Sequence, residues 1–423
     1  MPSCDSFPAP VRRSLFHTNP SPFLAACGLR NARLIAMENK MKVLTVFGTR
    51  PEAIKMAPLL QALSASPYIE SRLCVTAQHR EMLDQVLEIF DLHPDYDLNI
   101  MTPRQTLEMI TVKALTGLGT VMEEEQPDLV LVHGDTSTTF AAALSAFYHQ
   151  IPVGHVEAGL RTYDKYQPFP EEMNRRLTGV LADLNFSPTS LARERLLREN
   201  TDPQSIYVTG NTVIDALQTT IAPDYVFTEE ALNHIDFQNR RVLAVTAHRR
   251  ENLGEPLLAI CRAFRRLVQA FPDVELVYAV HKNPVVQAAA ATILEGLSPE
   301  EASRVHLLPP LDLRDMHNLM NRSYLVLTDS GGLQEEVPSL GKPVLVLRNV
   351  TERPEGVTAG TLRLVGSDEE AVFQNASELL TDPAAYAQMA QAKNPFGDGH
   401  ASERIVAAIL HHFKNMPRPA DYI

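Results

Sequence analysis

Chemistry-bearing side chains in this chain fall repeatedly where a short apolar run ends. The segment Gly48-Thr49-Arg50-Pro51-Glu52-Ala53-Ile54-Lys55 joins a flexible turn, a helix start and two cations. Free backbone N–H groups and the helix dipole favour an anion there, and Arg50 and Lys55 would add charge. The same segment also reads as a capped helix with solvated cations, and it matches neither GxxxxGK[ST] nor GxGxxG. Three acids follow later runs. Asp135, in His133-Gly134-Asp135-Thr136, reads alone as a helix N-cap. Glu157, in His155-Val156-Glu157-Ala158-Gly159, is costly after a buried run unless it is partnered or used. Glu171, in Pro170-Glu171-Glu172-Met173-Asn174-Arg175, is ordinary first-turn chemistry, and its spacing predicts an ion pair with Arg175. Gathered at one end of one sheet, the three would push their pKa values apart, which lets acid and base roles coexist at neutral pH.

The second half repeats the placement with the opposite emphasis. His248-Arg249-Arg250 ends one apolar run, and Ser330-Gly331-Gly332 ends another and opens a helix. Ser-Gly-Gly at a helix start lets backbone amides approach a diphosphate closely. Glu336, one turn further, could accept from a ribose diol. Arg353 adds a cation from a later loop.

These positions need a sheet whose strands all end on one side. Apolar runs at 43–47, 73–77, 129–133 and 153–156 alternate with helical patterns, and the rhythm pauses around 218–240, where a linker is expected. It restarts with runs at 242–246, 276–280, 305–308, 325–327 and 344–347. Near-continuous apolar strands joined by helices predict buried parallel sheets, hence α/β, with two Rossmann-like doubly wound domains and a ligand cleft between their strand ends. The expected division is an extension over 1–40, a first domain over 41–215, a second over 216–400, and a C-terminal helix and tail over 401–423 that packs back on the first domain. The extension is proline-rich and acid-poor. It reads as a disordered tail or as a start placed upstream of Met37 or Met41, in preference to a transit peptide.

Composition narrows the classes. The 423 residues carry 38 basic and 51 acidic side chains, a net charge of −13, which argues against a nucleic-acid surface. No apolar stretch is long enough to cross a membrane. Cys4, Cys27, Cys74 and Cys261 lie far apart without CxxC, so a zinc finger is excluded and a reducing, cytoplasmic setting is expected.

Taken in order, the blocks VFGTRPEAIKMAPL, TAQHREMLDQVL, LVHGDT, GHVEAGLRT, PEEMNR, TGNTVIDAL, TAHRREN, LTDSGGLQEE, GKPVLVLR and TERPE resemble the non-hydrolysing UDP-N-acetylglucosamine 2-epimerases. The likeness runs from Met41 to about His412. It implies a GT-B fold and interconversion of UDP-N-acetylglucosamine and UDP-N-acetylmannosamine, by anti elimination of UDP to a 2-acetamidoglucal and re-addition. Surface polysaccharide synthesis would consume the product. By the same resemblance, Asp135, Glu157 and Glu171 form the acid–base set, with Asp135 or Glu157 taking the C2 proton, and Arg175 and His248 assist near the departing diphosphate. Arg50 and Lys55 lie at the cleft, Ser330, Gly331 and Gly332 hold phosphate, Glu336 holds the ribose and Arg353 forms the cleft wall. A homodimer is implied, with no cofactor or metal, and a second UDP-N-acetylglucosamine site that regulates the enzyme through Gln78 and His79. Around Leu311–Met316 the sequence departs from relatives that place Gln and an aromatic near uracil. The rival readings are a GT-B glycosyltransferase, a hydrolysing epimerase and a silent nucleotide-sugar binder.

Overall fold

The computed structural model describes residues 40–77 and 80–423; residues 1–39 of the extension, together with Gln78 and His79, lie outside the described residues. The first sheet has seven parallel strands: β1 (Met41–Phe47), β2 (Ile69–Val75), β3 (Tyr96–Asp97), β4 (Leu129–His133), β5 (Val153–Val156), β6 (Leu184–Ser187) and β7 (Ile206–Val208). Their order is β3-β2-β1-β4-β5-β6-β7. The second sheet has six: β8 (Arg241–Thr246), β9 (Val274–Ala279), β10 (Val305–Leu308), β11 (Leu325–Thr328), β12 (Val344–Val346) and β13 (Leu362–Leu364), in the order β10-β9-β8-β11-β12-β13. In each, the chain leaves the central strand in one direction and restarts beside it in the other. The switch points therefore fall between β1 and β4 and between β8 and β11, where such sheets bind ligands.

Both faces of each sheet are covered. Val43, Met56, Leu59 and Ile405 share one core of the first domain, while Leu44, Leu118, Val130 and Ala142 share the other. The second domain repeats this with Leu243, Phe264, Leu327 and Leu379 on one face, and Val242, Val277, Leu319 and Val344 on the other. The architecture is α/β and GT-B-like. Among the described residues no helix is long and apolar enough to cross a membrane.

Three features join the halves. The helix Thr212–Thr220 runs across position 216, sending Ala216 into the first domain's core and Leu217 into the second's. Leu313, from the segment considered for uracil contact, instead packs in the first domain's core, and Asp312 caps its own helix through Asp315 N at 2.8 Å. The helix Ala401–Lys414 places Ile405, Ala408 and Ile409 in the first core, and the tail follows, with Tyr422 N donating to Val208 O at 2.7 Å.

The stretch at 218–240 is not a free linker. Phe227, Leu232 and Ile235 are buried in the second core, and the buried Asp315 carboxylate accepts from Tyr225 Oη, Thr228 N and Glu229 N at 2.8–2.9 Å. Its polar composition conceals three anchoring apolar side chains and one carboxylate that satisfies the loop's own donors.

Candidate active site

At the end of β1, Gly48 turns the chain. A Cβ there would lie 2.2 Å from Thr76 Oγ1 and 2.6 Å from Thr138 Oγ1, so a larger residue cannot fit without rearrangement. The Glu52 carboxylate accepts from Gly48 N at 3.1 Å and Thr49 N at 2.8 Å, fixing the start of the helix Arg50–Ala65. That helix carries Lys55 inward, where its ammonium pairs with Glu157. Arg50 stands half-buried in the first turn, without an ion-pair partner among the described residues.

Glu157, just beyond β5, has φ +63°. A non-glycine residue held there costs on the order of 1 kcal/mol, so the surrounding contacts must fix it. They do: Lys55 pairs with its carboxylate, His133 Nε2 lies 3.3 Å from Oε2, and Asn211 Nδ2 donates at 3.2 Å. Burial pushes the Glu157 carboxyl up, but Lys55 and then His133 outweigh it and hold the pKa well below the usual carboxylate range. For Lys55, burial opposes the charge, while Glu157 and Glu335 outweigh it and raise the pKa. Next to them, His155 Nε2 bonds to Gly134 O at 2.7 Å, and burial drives its pKa to about 3. This histidine is neutral and structural.

Asp135, beyond β4, is held by Arg175 through Nη2 at 2.5 Å and Nε at 3.1 Å. The expected Glu171–Arg175 pair does not form. Arg175 turns to Asp135 and to Glu172 Oε2 at 3.4 Å, because Glu172, not Glu171, faces inward. Glu172 is fully buried and accepts from Thr162 N and Tyr163 N at 3.0 Å, tying the loop after Glu157 to the helix Glu171–Leu181. Glu171 is half-buried and has no ion-pair partner among the described residues.

In the second domain, buried Asp329 organises the loop after β8: its Oδ2 accepts from His248 N at 2.7 Å, Arg249 N at 2.8 Å and Asn252 Nδ2 at 3.0 Å. The exposed His248 ring stacks on His281, with centroids 4.9 Å apart. Arg249 and Arg353 converge on Gly331, where a Cβ would lie 3.6 Å from Arg249 Nη2 and 3.7 Å from Arg353 Cζ. Ser330 caps the short helix Gly331–Glu336 without a side-chain hydrogen bond, which leaves its hydroxyl uncommitted to the helix. Gly332 follows in the first turn, where a Cβ would lie 3.6 Å from Glu336 Oε1. Glu336 Oε2 lies 3.6 Å from His317 Nε2. Arg353 Nε pairs with Glu335 Oε1 at 2.7 Å; burial opposes its charge, but Glu335 and Glu157 outweigh that and raise its pKa.

Lys55, Glu157 and Arg353 thus meet in one cluster, and Asp135 with Arg175 lies one strand away, since β4 and β5 pair His133 with Val156. His248, Ser330, Gly331 and Gly332 flank the Asp329 loop, with Glu336 one turn on. Asn211, Glu335 and Glu172 were not singled out from the sequence. Asn211 follows an apolar strand in TGNT, the same signal that marked the acids, but an amide gave it no chemistry to advertise. Among the described residues no three His, Cys, Asp or Glu side chains gather as a metal site. The arrangement sets ion-paired carboxylates against a cation-flanked helix start that suits a phosphate-bearing ligand.

Comparison with known proteins accords with this. The model of the UDP-N-acetylglucosamine 2-epimerase family matches residues 61–410. A Bacillus subtilis protein named UDP-N-acetylglucosamine 2-epimerase is 58% identical over 374 residues, covering 88% of this chain and 96% of its own. A crystal structure of a UDP-N-acetylglucosamine 2-epimerase aligns with TM-score 0.84 at 54% identity, over 91% of this chain and 100% of that one. The Neisseria meningitidis UDP-GlcNAc 2-epimerase bound to UDP-GlcNAc aligns with TM-score 0.76 at 49% identity, over 88% and 100%. The chain belongs to the UDP-N-acetylglucosamine 2-epimerase family.

Proposed function

We propose that this protein is a non-hydrolysing UDP-N-acetylglucosamine 2-epimerase that interconverts UDP-N-acetylglucosamine and UDP-N-acetylmannosamine. The observation that carries the reading is Glu157. A buried anionic carboxylate in left-handed backbone, pinned by Lys55 and His133, faces the Arg353 guanidinium of the opposite domain. In the reaction, a carboxylate takes the C2 proton, and the C–H electrons form the C1–C2 double bond. The C1–O bond breaks as that double bond forms, and UDP leaves with the C1–O bonding pair. UDP re-adds at C1 while a proton returns to the other face of C2. Glu157, anionic at neutral pH, suits the base role on one face, and Asp135 beside Arg175 suits proton exchange on the other. Arg249, Arg353 and the amides after Ser330 stabilise the departing diphosphate, and Glu336 takes the ribose. Every electron returns to the sugar, so the reaction as written calls for no redox cofactor.

The further parts of the reading are a homodimer acting in the cytoplasm, regulation by UDP-N-acetylglucosamine through Gln78 and His79, and supply of the product to surface polysaccharide. Incubating the protein with UDP-N-acetylglucosamine in deuterated water and following products by NMR tests the activity. UDP-N-acetylmannosamine with deuterium at C2 is expected. Free sugar plus UDP would indicate a hydrolysing enzyme, and an unchanged substrate would indicate a transferase or a binder.

A further inference from the structure

Asn211 occupies the junction between the domains, at the N-cap of the helix Thr212–Thr220. Its Oδ1 accepts from Val213 N at 3.2 Å, and its own N donates to Phe396 O at 2.7 Å. The cap commits the oxygen, so the amide nitrogen must point the other way. There Nδ2 donates to Glu157 Oε2 at 3.2 Å and to Glu335 Oε2 at 2.8 Å. One amide thus spends both protons on two carboxylates, one from each domain. Glu335 is 3% exposed, and its other oxygen holds Arg353 at 2.7 Å.

We propose that Asn211 and Glu335 are positioning residues that join the Glu157 carboxylate to the anion-facing Arg353 across the domain boundary. The reasoning is electrostatic. Lys55 and Arg353 balance Glu157 and Glu335 in one buried group, and such a group tolerates little change in any member's charge. Arg353 divides its guanidinium between Glu335 at Nε, the more exposed Glu352 at Nη1 (3.0 Å) and the space beside Gly331. An anion bound there draws on the same positive charge that Glu335 uses, so ligand occupancy alters the field at Glu157. The charged and titratable groups facing Glu157 are Lys55 from the helix Arg50–Ala65, His133 from β4, His155 from β5, and Glu335 and Arg353 from the second domain. This assignment rests on the epimerase reading for its kinetic consequence, but the linkage itself does not require turnover.

Two isosteric variants of the full chain separate this role from simple packing. Asn211→Asp retains a helix cap but adds a negative charge between two carboxylates. Glu335→Gln retains shape but removes one. With glutamate labelled by ¹³C at Cδ, and the Glu157 signal assigned by its loss in Glu157→Gln, the carboxyl midpoint should rise in Asn211→Asp by about one pH unit. It should stay at or below the wild-type midpoint in Glu335→Gln. In parallel, calorimetry should find UDP bound several-fold more tightly by Glu335→Gln and more weakly by Asn211→Asp, while C2 exchange slows in both. A purely structural role would weaken UDP binding in both variants and leave the Glu157 midpoint in place; that pattern overturns the proposal. Wild-type protein that shows no C2 exchange would count against the epimerase reading alone, because the carboxyl titration still decides the linkage.

Discussion

The two domains share a strand order but use charge in opposite ways. At the end of the first sheet, the candidate acids are already neutralised: Glu157 by Lys55, Asp135 by Arg175. At the end of the second, the acid Asp329 is consumed by loop amides, and Arg249 faces Gly331 with no carboxylate partner among the described residues. A pre-paired carboxylate is fixed in place and in protonation state, which suits proton transfer. A cation without a partner retains its attraction for an incoming anion, which suits leaving-group binding. The difference predicts that chemistry and affinity can be damaged separately.

The sharpest way to break that division is Glu157→Gln. Loss of a positioned base costs roughly 10²–10⁴-fold, so deuterium incorporation at C2 should fall by about that factor. UDP affinity measured by calorimetry should not fall, because the residue lies outside the cation-flanked helix start and loss of its charge leaves Arg353 freer for an anion. Wild-type exchange in this variant would remove Glu157 from the chemistry. A large parallel loss of UDP affinity would show that the two halves are not separable.

Arg249→Met is the reciprocal variant and should have a smaller effect. One charge-assisted contact to an ionised group is worth roughly 1.5–3 kcal/mol, or about tenfold or more in affinity. UDP binding should weaken accordingly, and its dependence on salt should flatten. Exchange at saturating substrate should suffer less than affinity. If exchange at saturation instead fell further than binding, Arg249 would belong with the acid–base set.

This division was partly legible in the sequence. The repeated strand-then-helix rhythm located nine of the strands, because parallel strands buried on both faces are nearly uniformly apolar. It missed β6, whose Asn185 and Ser187 are wholly buried yet read as polar, and the short β3, β7 and β13. The acids Asp135 and Glu157 stood out because a carboxylate after an apolar run needs a reason. Their partners did not. Nothing local distinguishes Glu172 from Glu171 as the residue that turns inward, since helix phase is set by packing that sequence spacing alone does not fix. Likewise Glu335 and Glu336 are adjacent, and only the packing inside the second domain decides which reaches Arg353. The side-chain types were readable, but pairing across 102 residues, as between Lys55 and Glu157, depended on tertiary structure.

The ion-paired half should also be the half that yields first to acid. His155 is completely buried on β5 with its pKa driven to about 3, against an ordinary value of 6.5. Between those values the unfolded chain binds a proton that the folded one refuses, so stability is fully present above pH 6.5 and declines as pH falls. The slope from this one group is about 1.4 kcal/mol per pH unit. Glu157 adds a loss of the same sign only below its unfolded value of 4.5, so between 6.5 and 4.5 the histidine acts without it. Hydrogen exchange read by mass spectrometry at pH 7 and pH 5.5, corrected for intrinsic rates, should show protection lost in β4 and β5 before β8 and β11. His155→Gln can keep a donor to Gly134 O, and it should cost about 1 kcal/mol at pH 7 while flattening the pH dependence in the first sheet. Equal loss of protection in both sheets, or an unchanged slope in His155→Gln, would place the acid sensitivity elsewhere. The comparison between a charge-satisfied domain and a charge-presenting one would then rest on binding alone.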